Sequence, residues 1–218
     1  MEHWDAIASE IVGLADQLDG LTPEQWATQS LCSEWTVRDV VAHLVVPRKT
    51  SMPRFILPFA AAFVKARGNF DRANVSLTAK EAKRPTAELV VELRRNAGSH
   101  FKPPGFGSET PLTDVLVHGQ DIRIPLGLAT DGPIDSWRVA LELLVTSRAR
   151  RVFGLWPLDG FRFAATDLDW TYGNGDDVSG PAIALALALI GRDARVGDLV
   201  GPGVSRLTSQ LTGQASND

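Results

Sequence analysis

Three residues in one short segment have the types and the spacing that suit metal binding. Asp114, His118 and Asp121 stand at positions i, i+4 and i+7, so a helix places them on one face. The residues around them are mostly apolar, which indicates a buried helix. Buried carboxylates and a buried imidazole are costly unless they are paired or bound to a cation. Asp114 and His118 are close enough along the helix to point at one ion.

A second histidine lies in a similar apolar setting. His43 is the only polar residue in the run from 40 to 46, so its imidazole needs a hydrogen-bond partner or a metal ion. Two facing helices that supply His43, Asp114 and His118 would form a three-ligand site, the arrangement of catalytic zinc centres. Iron, nickel and cobalt accept the same donors. The sequence therefore predicts a divalent metal site, with zinc as the expected ion.

The same residues also have a structural interpretation, which the sequence leaves open. A buried histidine is often a hydrogen-bonded core residue, and Asp114 can form a hydrogen bond with His118 within one helix. Asp121 is expected to orient His118 rather than to bind the ion. Asp39 is better explained by its place in the first turn of a helix. Cys32 has no histidine near it in sequence, and packing is the favoured interpretation of its role.

The elements that position these residues have the pattern of a helical bundle. Apolar residues recur at steps of three and four, which is typical of amphipathic helices. Thr22 with Gln25, and Thr36 with Asp39, supply helix start signals. The predicted helices cover residues 4–18, a short stretch from 23, and residues 36–46, 52–66, 87–97, 112–124 and 136–153.

The pattern changes after residue 153. Residues 161–165 and 168–172 alternate as short strands do, and the glycines of 173–176 predict a hairpin turn. A helix is expected between Gly180-Pro181 and Gly191. The predicted fold class is α with a small α+β module, as a helical bundle over residues 1–154 and an α+β domain over 155–218.

Composition excludes several classes of function. The net charge of −4 over 218 residues offers no attraction for nucleic acid or for an anionic membrane. One cysteine cannot form an internal disulfide. The apolar stretches are about half the roughly 20 residues that a spanning helix needs, and the N-terminus lacks the features of a secretory signal. We expect a cytoplasmic protein that acts on small molecules.

The order of these motifs resembles the mycothiol-dependent maleylpyruvate isomerase family, which is one of the DinB-like metal-binding bundles. The resemblance lies in residues 21–26 and 31–44, in residues 116–122, and in residues 170–182 followed by Gly191-Arg192. It implies a DinB-like four-helix bundle in which His43, His118 and the carboxylate four residues before His118 bind the metal ion. That carboxylate is a glutamate in the isomerase, and here it is Asp114, which is one methylene shorter.

The resemblance also implies a function. It suggests a metal-dependent and mycothiol-dependent isomerase or thiol transferase that acts on a small molecule, with Arg192 as a contact for the cofactor or substrate and a homodimer as a possible assembly. Two alternatives stay open at this point. The same ligands could activate water in a metal-assisted hydrolase, or the site could belong to a non-catalytic protein that binds a metal or a small ligand.

Overall fold

The chain forms a helical part followed by a mixed part. A computed structural model describes residues 2–49, 52–65, 67, 70–129 and 132–215. Its contacts divide the chain into two compact units, residues 1–131 and 132–218. The first unit is helical and the second contains a three-stranded sheet, which confirms the predicted fold class. The division falls earlier than the domain boundary predicted at residue 154, and that boundary stays a prediction.

Four helices of the first unit pack around one core. Helix α1 contacts α6 and α7, and α3 contacts the same two helices, so these four form a bundle. Helix α5 packs against α3 and α4. The helices described in this unit are α1 (Trp4–Leu18), α2 (Pro23–Trp26), α3 (Val37–Arg48), α4 (Met52–Lys65), α5 (Phe70–Glu81), α6 (Thr86–Arg95) and α7 (Glu109–Leu126). No helix in the described ranges is long and apolar enough to cross a bilayer.

Helix starts in the first unit follow the predicted caps. The Thr22 hydroxyl accepts from the backbone N–H of Gln25, while the Gln25 side chain accepts from the backbone N–H of Thr22. Thr36 and Asp39 form the same reciprocal pair at the start of α3. Each pair satisfies two N–H groups that a helix start would otherwise leave without partners. The predicted capping of α3 by Asp39 is confirmed.

Helices α3 and α7 are both longer than the sequence predicts. Helix α3 continues through Pro47 to Arg48. Proline removes one backbone donor from the helix, but packing of the last turn outweighs this loss. Helix α7 begins at Glu109 and ends at Leu126, where Gly127 adopts a left-handed φ of 63°. The two added residues of α3 matter for the site, since Arg48 is one of them.

Two other helix predictions need correction. Residues 70–81 form α5, which the sequence analysis does not predict, because the segment lacks a clear apolar face. The single helix predicted over 136–153 is wrong. The chain forms α8 (Ile134–Leu144) and α9 (Ser147–Val152), and the Thr146 hydroxyl caps α9 by accepting from the backbone N–H of Ala149.

The second unit builds a small sheet against its helices. Its remaining elements are β1 (Gly160–Ala165), β2 (Thr171–Gly173), β3 (Gly175–Gly180), α10 (Ala182–Leu189) and α11 (Val204–Ala215). Strand β1 lies in the middle, antiparallel to β2 and parallel to β3. Helix α10 packs against α8 and against β1 and β3. Phe161 and Phe163 of β1 are fully buried.

The hairpin predicted at residues 173–176 is wrong. Strands β2 and β3 pair with opposite edges of β1 and not with each other, so the chain crosses the end of β1 between them. Gly175 has a φ of 150°, and a Cβ added there would lie 2.1 Å from the carbonyl oxygen of Gly160. Only glycine permits two backbones to approach this closely.

Candidate metal centre

Helices α3 and α7 bring together the three side chains that the sequence predicts as ligands. The Oδ1 atom of Asp114 lies 3.4 Å from Nε2 of His43 and 3.6 Å from Nε2 of His118. The ligand atoms of this set all lie within 4.8 Å of one another. The two histidine rings meet edge to face, with centroids 4.8 Å apart. Their role as metal ligands stays a prediction.

The spacing of these atoms suits a small divalent cation. Zinc binds imidazole nitrogen and carboxylate oxygen at about 2.0–2.2 Å in a tetrahedron, whose ligand atoms are then about 3.4 Å apart. The two distances from Asp114 Oδ1, 3.4 and 3.6 Å, match that edge. The shorter side chain of aspartate therefore still reaches the point on which both Nε2 atoms converge. The residues present fit the metal that the family resemblance implies.

Asp121 holds the far side of the His118 ring. Its carboxylate is fully buried, and Oδ2 lies 2.9 Å from Nδ1 of His118. A carboxylate in this position accepts a hydrogen bond from Nδ1–H, so Nε2 is the nitrogen that faces Asp114 and that can bind a metal ion once its own proton has left. The placement agrees with the expectation that Asp121 orients His118, and that role stays a prediction.

Cys32 lies closer to the site than the sequence indicates. Its thiol is 3.0 Å from Oδ2 of Asp121 and 4.0 Å from Nδ1 of His118. The backbone N–H of Leu31 donates to the Asp121 carbonyl at 3.2 Å, which ties the Cys32 loop to α7. The sequence analysis favours a packing role for Cys32 and so does not predict this polar contact. The signal available in the sequence is that Cys32 belongs to the same motif as Trp35 and His43.

Arg48 is a second residue that the sequence analysis misses. Its side chain is 5% exposed, and Nη2 lies 3.6 Å from Oδ2 of Asp114. Nη1 donates to the Leu44 carbonyl one turn earlier in α3, at 2.7 Å. The two carboxylate oxygens of Asp114 thus face different partners, with Oδ1 toward the imidazoles and Oδ2 toward the guanidinium. This division favours a carboxylate that offers one oxygen to a metal ion.

Trp35 forms an aromatic wall beside both histidines. Its ring centroid lies 4.8 Å from that of His43 and 5.8 Å from that of His118. Trp35 is 8% exposed, whereas the Asp114 side chain is 30% exposed. The site is thus closed on the indole side, and the carboxylate is its most accessible group.

Charges around the site separate the protonation of the two histidines. Burial lowers the pKa of His43 and outweighs its contact with Asp114. Burial also opposes the charge on His118, but its hydrogen bond with Asp121, its contact with Cys32 and the charge of Asp114 together raise its pKa to about 10. Burial acts against the charge of Asp114 as well, yet both imidazoles and Arg48 hold its pKa well below the usual range.

These protonation states predict a proton release on metal binding. At pH 7 His43 is neutral, while His118 carries a proton on Nε2 that the metal must displace. We expect about one proton to leave per ion bound, and the affinity to rise by roughly tenfold per pH unit between pH 7 and 9. Calorimetric titration of the metal-free protein with zinc, in buffers of different ionisation enthalpy, measures this number. An affinity that is the same at pH 7 and 9 would contradict the assignment.

Arg192 belongs to the second unit, whereas the residues of the candidate metal centre belong to the first. It follows α10, is partly buried, and its backbone N–H donates to the Leu187 carbonyl at 2.9 Å. Its expected contact with a cofactor or substrate stays a prediction.

Comparison with known proteins supports the family resemblance. Residues 7–101 match the model of the mycothiol maleylpyruvate isomerase N-terminal domain. That range includes His43 and ends before Asp114 and His118. No curated protein gives a significant sequence match.

Two solved structures share the fold over most of the chain. They are the mycothiol-dependent maleylpyruvate isomerase, with a TM-score of 0.55, and a mutant of that enzyme in which one histidine is replaced by alanine, with a TM-score of 0.56. Each is 15% identical in sequence, and each alignment covers 93% of this chain and 95% of the other. The fold class predicted from the sequence is confirmed at this level.

Proposed function

We infer, from the resemblance of this chain to the mycothiol-dependent maleylpyruvate isomerase family, that it is a metal-dependent enzyme that uses a low-molecular-weight thiol. Mycothiol is the thiol that the related structures name. The reaction would be an isomerisation or a thiol transfer on a small molecule. Zinc is the expected ion, and nickel, iron and cobalt suit the same donors.

One observation carries the proposal. On two facing helices, one carboxylate oxygen lies at the spacing of a tetrahedral edge from each of two imidazole nitrogens, and the three ligand atoms all lie within 4.8 Å of one another. Three protein ligands leave a fourth position for a ligand from solution, which distinguishes catalytic from structural zinc sites. The 30% exposure of the Asp114 side chain gives a small molecule a route of approach.

The chain's own residues would bind and shape this centre. His43 Nε2, His118 Nε2 and Asp114 Oδ1 would hold the ion, while Asp121 keeps the Nδ1 proton of His118 in place and Arg48 pairs with the second oxygen of Asp114. Trp35 excludes water from one side. When bound, the cation lowers the pKa of a coordinated thiol and so supplies thiolate at neutral pH.

A thiolate at this position suits addition to an activated alkene. Its sulfur would form a bond to one alkene carbon while the electron pair of the double bond moved toward the activating carbonyl group. The remaining carbon–carbon single bond could then rotate, and elimination of the thiolate would restore the double bond in the other geometry. The thiol is regenerated, as an isomerase requires. In a transferase the sulfur would stay on the product.

Calorimetric titration with mycothiol tests this function. We expect the zinc-loaded protein to bind mycothiol with a dissociation constant of roughly 1 mM or tighter, because the thiolate fills the open position. The metal-free protein should bind it much more weakly. S-methylated mycothiol is the matched control, since it keeps the sugar groups and lacks the ionisable thiol. Equal binding of the free and methylated thiols, or no binding to the zinc-loaded protein, would refute the proposal.

A further inference from the structure

The second unit contains a cleft with an arginine that lacks a full set of partners. The cleft has a volume of about 540 Å³ and lies beside the start of β1. Charged, neutral polar and apolar side chains line it. They include Arg150, Arg151, Leu158, Phe161, Tyr172 and Asn174.

Arg150 uses only part of its hydrogen-bonding capacity. Its Nη1 atom donates to the Leu144 carbonyl at 2.9 Å. The Nε and Nη2 atoms are buried, and they have no hydrogen-bond partner within the described parts of the chain. A guanidinium group is charged at any physiological pH and carries five N–H donors. Buried donors without acceptors are rare in folded proteins because each one gives up its bonds to water.

The unpaired atoms form one edge of the guanidinium plane. The central carbon of the group lies over the Trp156 ring, 5.4 Å from its centroid, and the N–H bonds of a guanidinium point along its own plane. Nε and Nη2 together present two parallel donors, which is the arrangement that a carboxylate accepts with both oxygens. The other edge is occupied by the Leu144 carbonyl.

Protein carboxylates do not neutralise this charge. Among the described residues, no acidic side chain forms an ion pair with Arg150, although the exposed Asp159 also lines the cleft. Arg151 adds a second positive charge to the lining. Burial lowers the pKa of Arg150 to about 10, against a smaller opposing effect of Tyr172. Arg150 is half-buried, and a partly desolvated cation with covered donors gains from an anionic partner.

We propose that this cleft binds a small carboxylate-bearing ligand, whose carboxylate pairs with the Nε–Nη2 edge of Arg150. Arg151 faces the same cleft and favours a ligand with a second negative charge. Leu158 and Phe161 offer apolar contact for the carbon skeleton. Since Nε and Nη2 are covered, a side chain must turn aside on binding; Tyr172 lines the cleft and is 38% exposed, so its ring has room to move. This site does not depend on the metal centre.

Nuclear magnetic resonance of the full-length protein tests the proposal, with malonate as the probe. We expect the Nε–H signal of Arg150 and the indole N–H signal of Trp156 to shift and to saturate below roughly 10 mM malonate, with ionic strength held constant by chloride. Arg150→Met should abolish the saturation. Arg150→Lys keeps the charge but lacks the paired donors, so we expect binding at least about tenfold weaker than in the wild type.

Arg148→Met is the matched control, because it removes one positive charge from the same helix and Arg148 does not line the cleft. It should bind malonate as the wild type does. Amide spectra establish that each variant is folded. Equal malonate affinity in the wild type and Arg150→Met would overturn the proposal, and so would the absence of saturation in the wild type. Saturation by inorganic phosphate but not by malonate would overturn the assignment to a carboxylate.

Discussion

His43→Ala is expected to remove metal binding while leaving the helical bundle intact. The substitution deletes one of three proposed ligands, and a third of the donor set cannot be replaced by water without a large loss of affinity. Loss of an outer partner alone costs about 10–100-fold, so we expect a loss of at least about 100-fold here. Metal analysis of protein purified without added ions or an affinity tag measures the bound metal, and circular dichroism measures the helix content.

His100→Ala provides the matched control for this experiment. His100 stacks on Trp4 with ring centroids 4.4 Å apart and is not one of the proposed ligands. We expect this variant to keep the wild-type metal content. If His43→Ala also kept full metal stoichiometry, the proposed coordination would be excluded, whatever the activity of the protein.

Asp121→Asn is expected to weaken metal binding without removing a ligand. Once the ring of His118 is neutral, the asparagine amide no longer secures its single proton on Nδ1, so that proton can lie on Nε2, where the metal must bind. We expect a loss of roughly 10–100-fold in zinc affinity when both proteins are compared at about pH 10, where the Nε2 proton of His118 competes little even in the wild type; this is the usual effect of losing an outer hydrogen-bond partner of a ligating histidine. Competition with a chromophoric chelator measures the affinity. Asp16→Asn makes the same chemical change in a surface ion pair with Arg94 and should have no effect.

The same variant should change how the stability of the metal-free protein depends on pH. His118 has an ordinary pKa of 6.5, which folding raises to about 10. The stability that this proton contributes is therefore fully present below pH 6.5 and is lost as the pH rises through 10. In Asp121→Asn the pKa of His118 falls, so the variant should lose less stability between pH 7 and 10. Urea unfolding at both pH values measures the difference. A wild-type free energy of unfolding that does not fall over this interval would contradict the raised pKa.

Local patterns in the sequence were sufficient to predict most of the helices in the first unit. The helix predicted over 4–18 is the helix observed, because its apolar residues repeat at the helical period and bury one face. The caps at Thr22 and Thr36 were predictable for a similar reason, since a cap depends on residues only three positions apart. Helix α5 was missed, and the helix predicted over 136–153 is divided at Thr146, because weak local preferences there yield to packing.

The types and spacing of Asp114 and His118 were enough to predict that they share a helical face, because positions i and i+4 of a helix are neighbours in any fold. Tertiary structure alone decided that His43 reaches them from α3, that Cys32 approaches from a loop, and that Arg48 approaches from the end of α3 beyond its predicted limit. Cys32 and Asp121 are 89 positions apart. Contacts over such distances depend on how helices pack against one another, and the order of residues along a single helix carries no record of that packing.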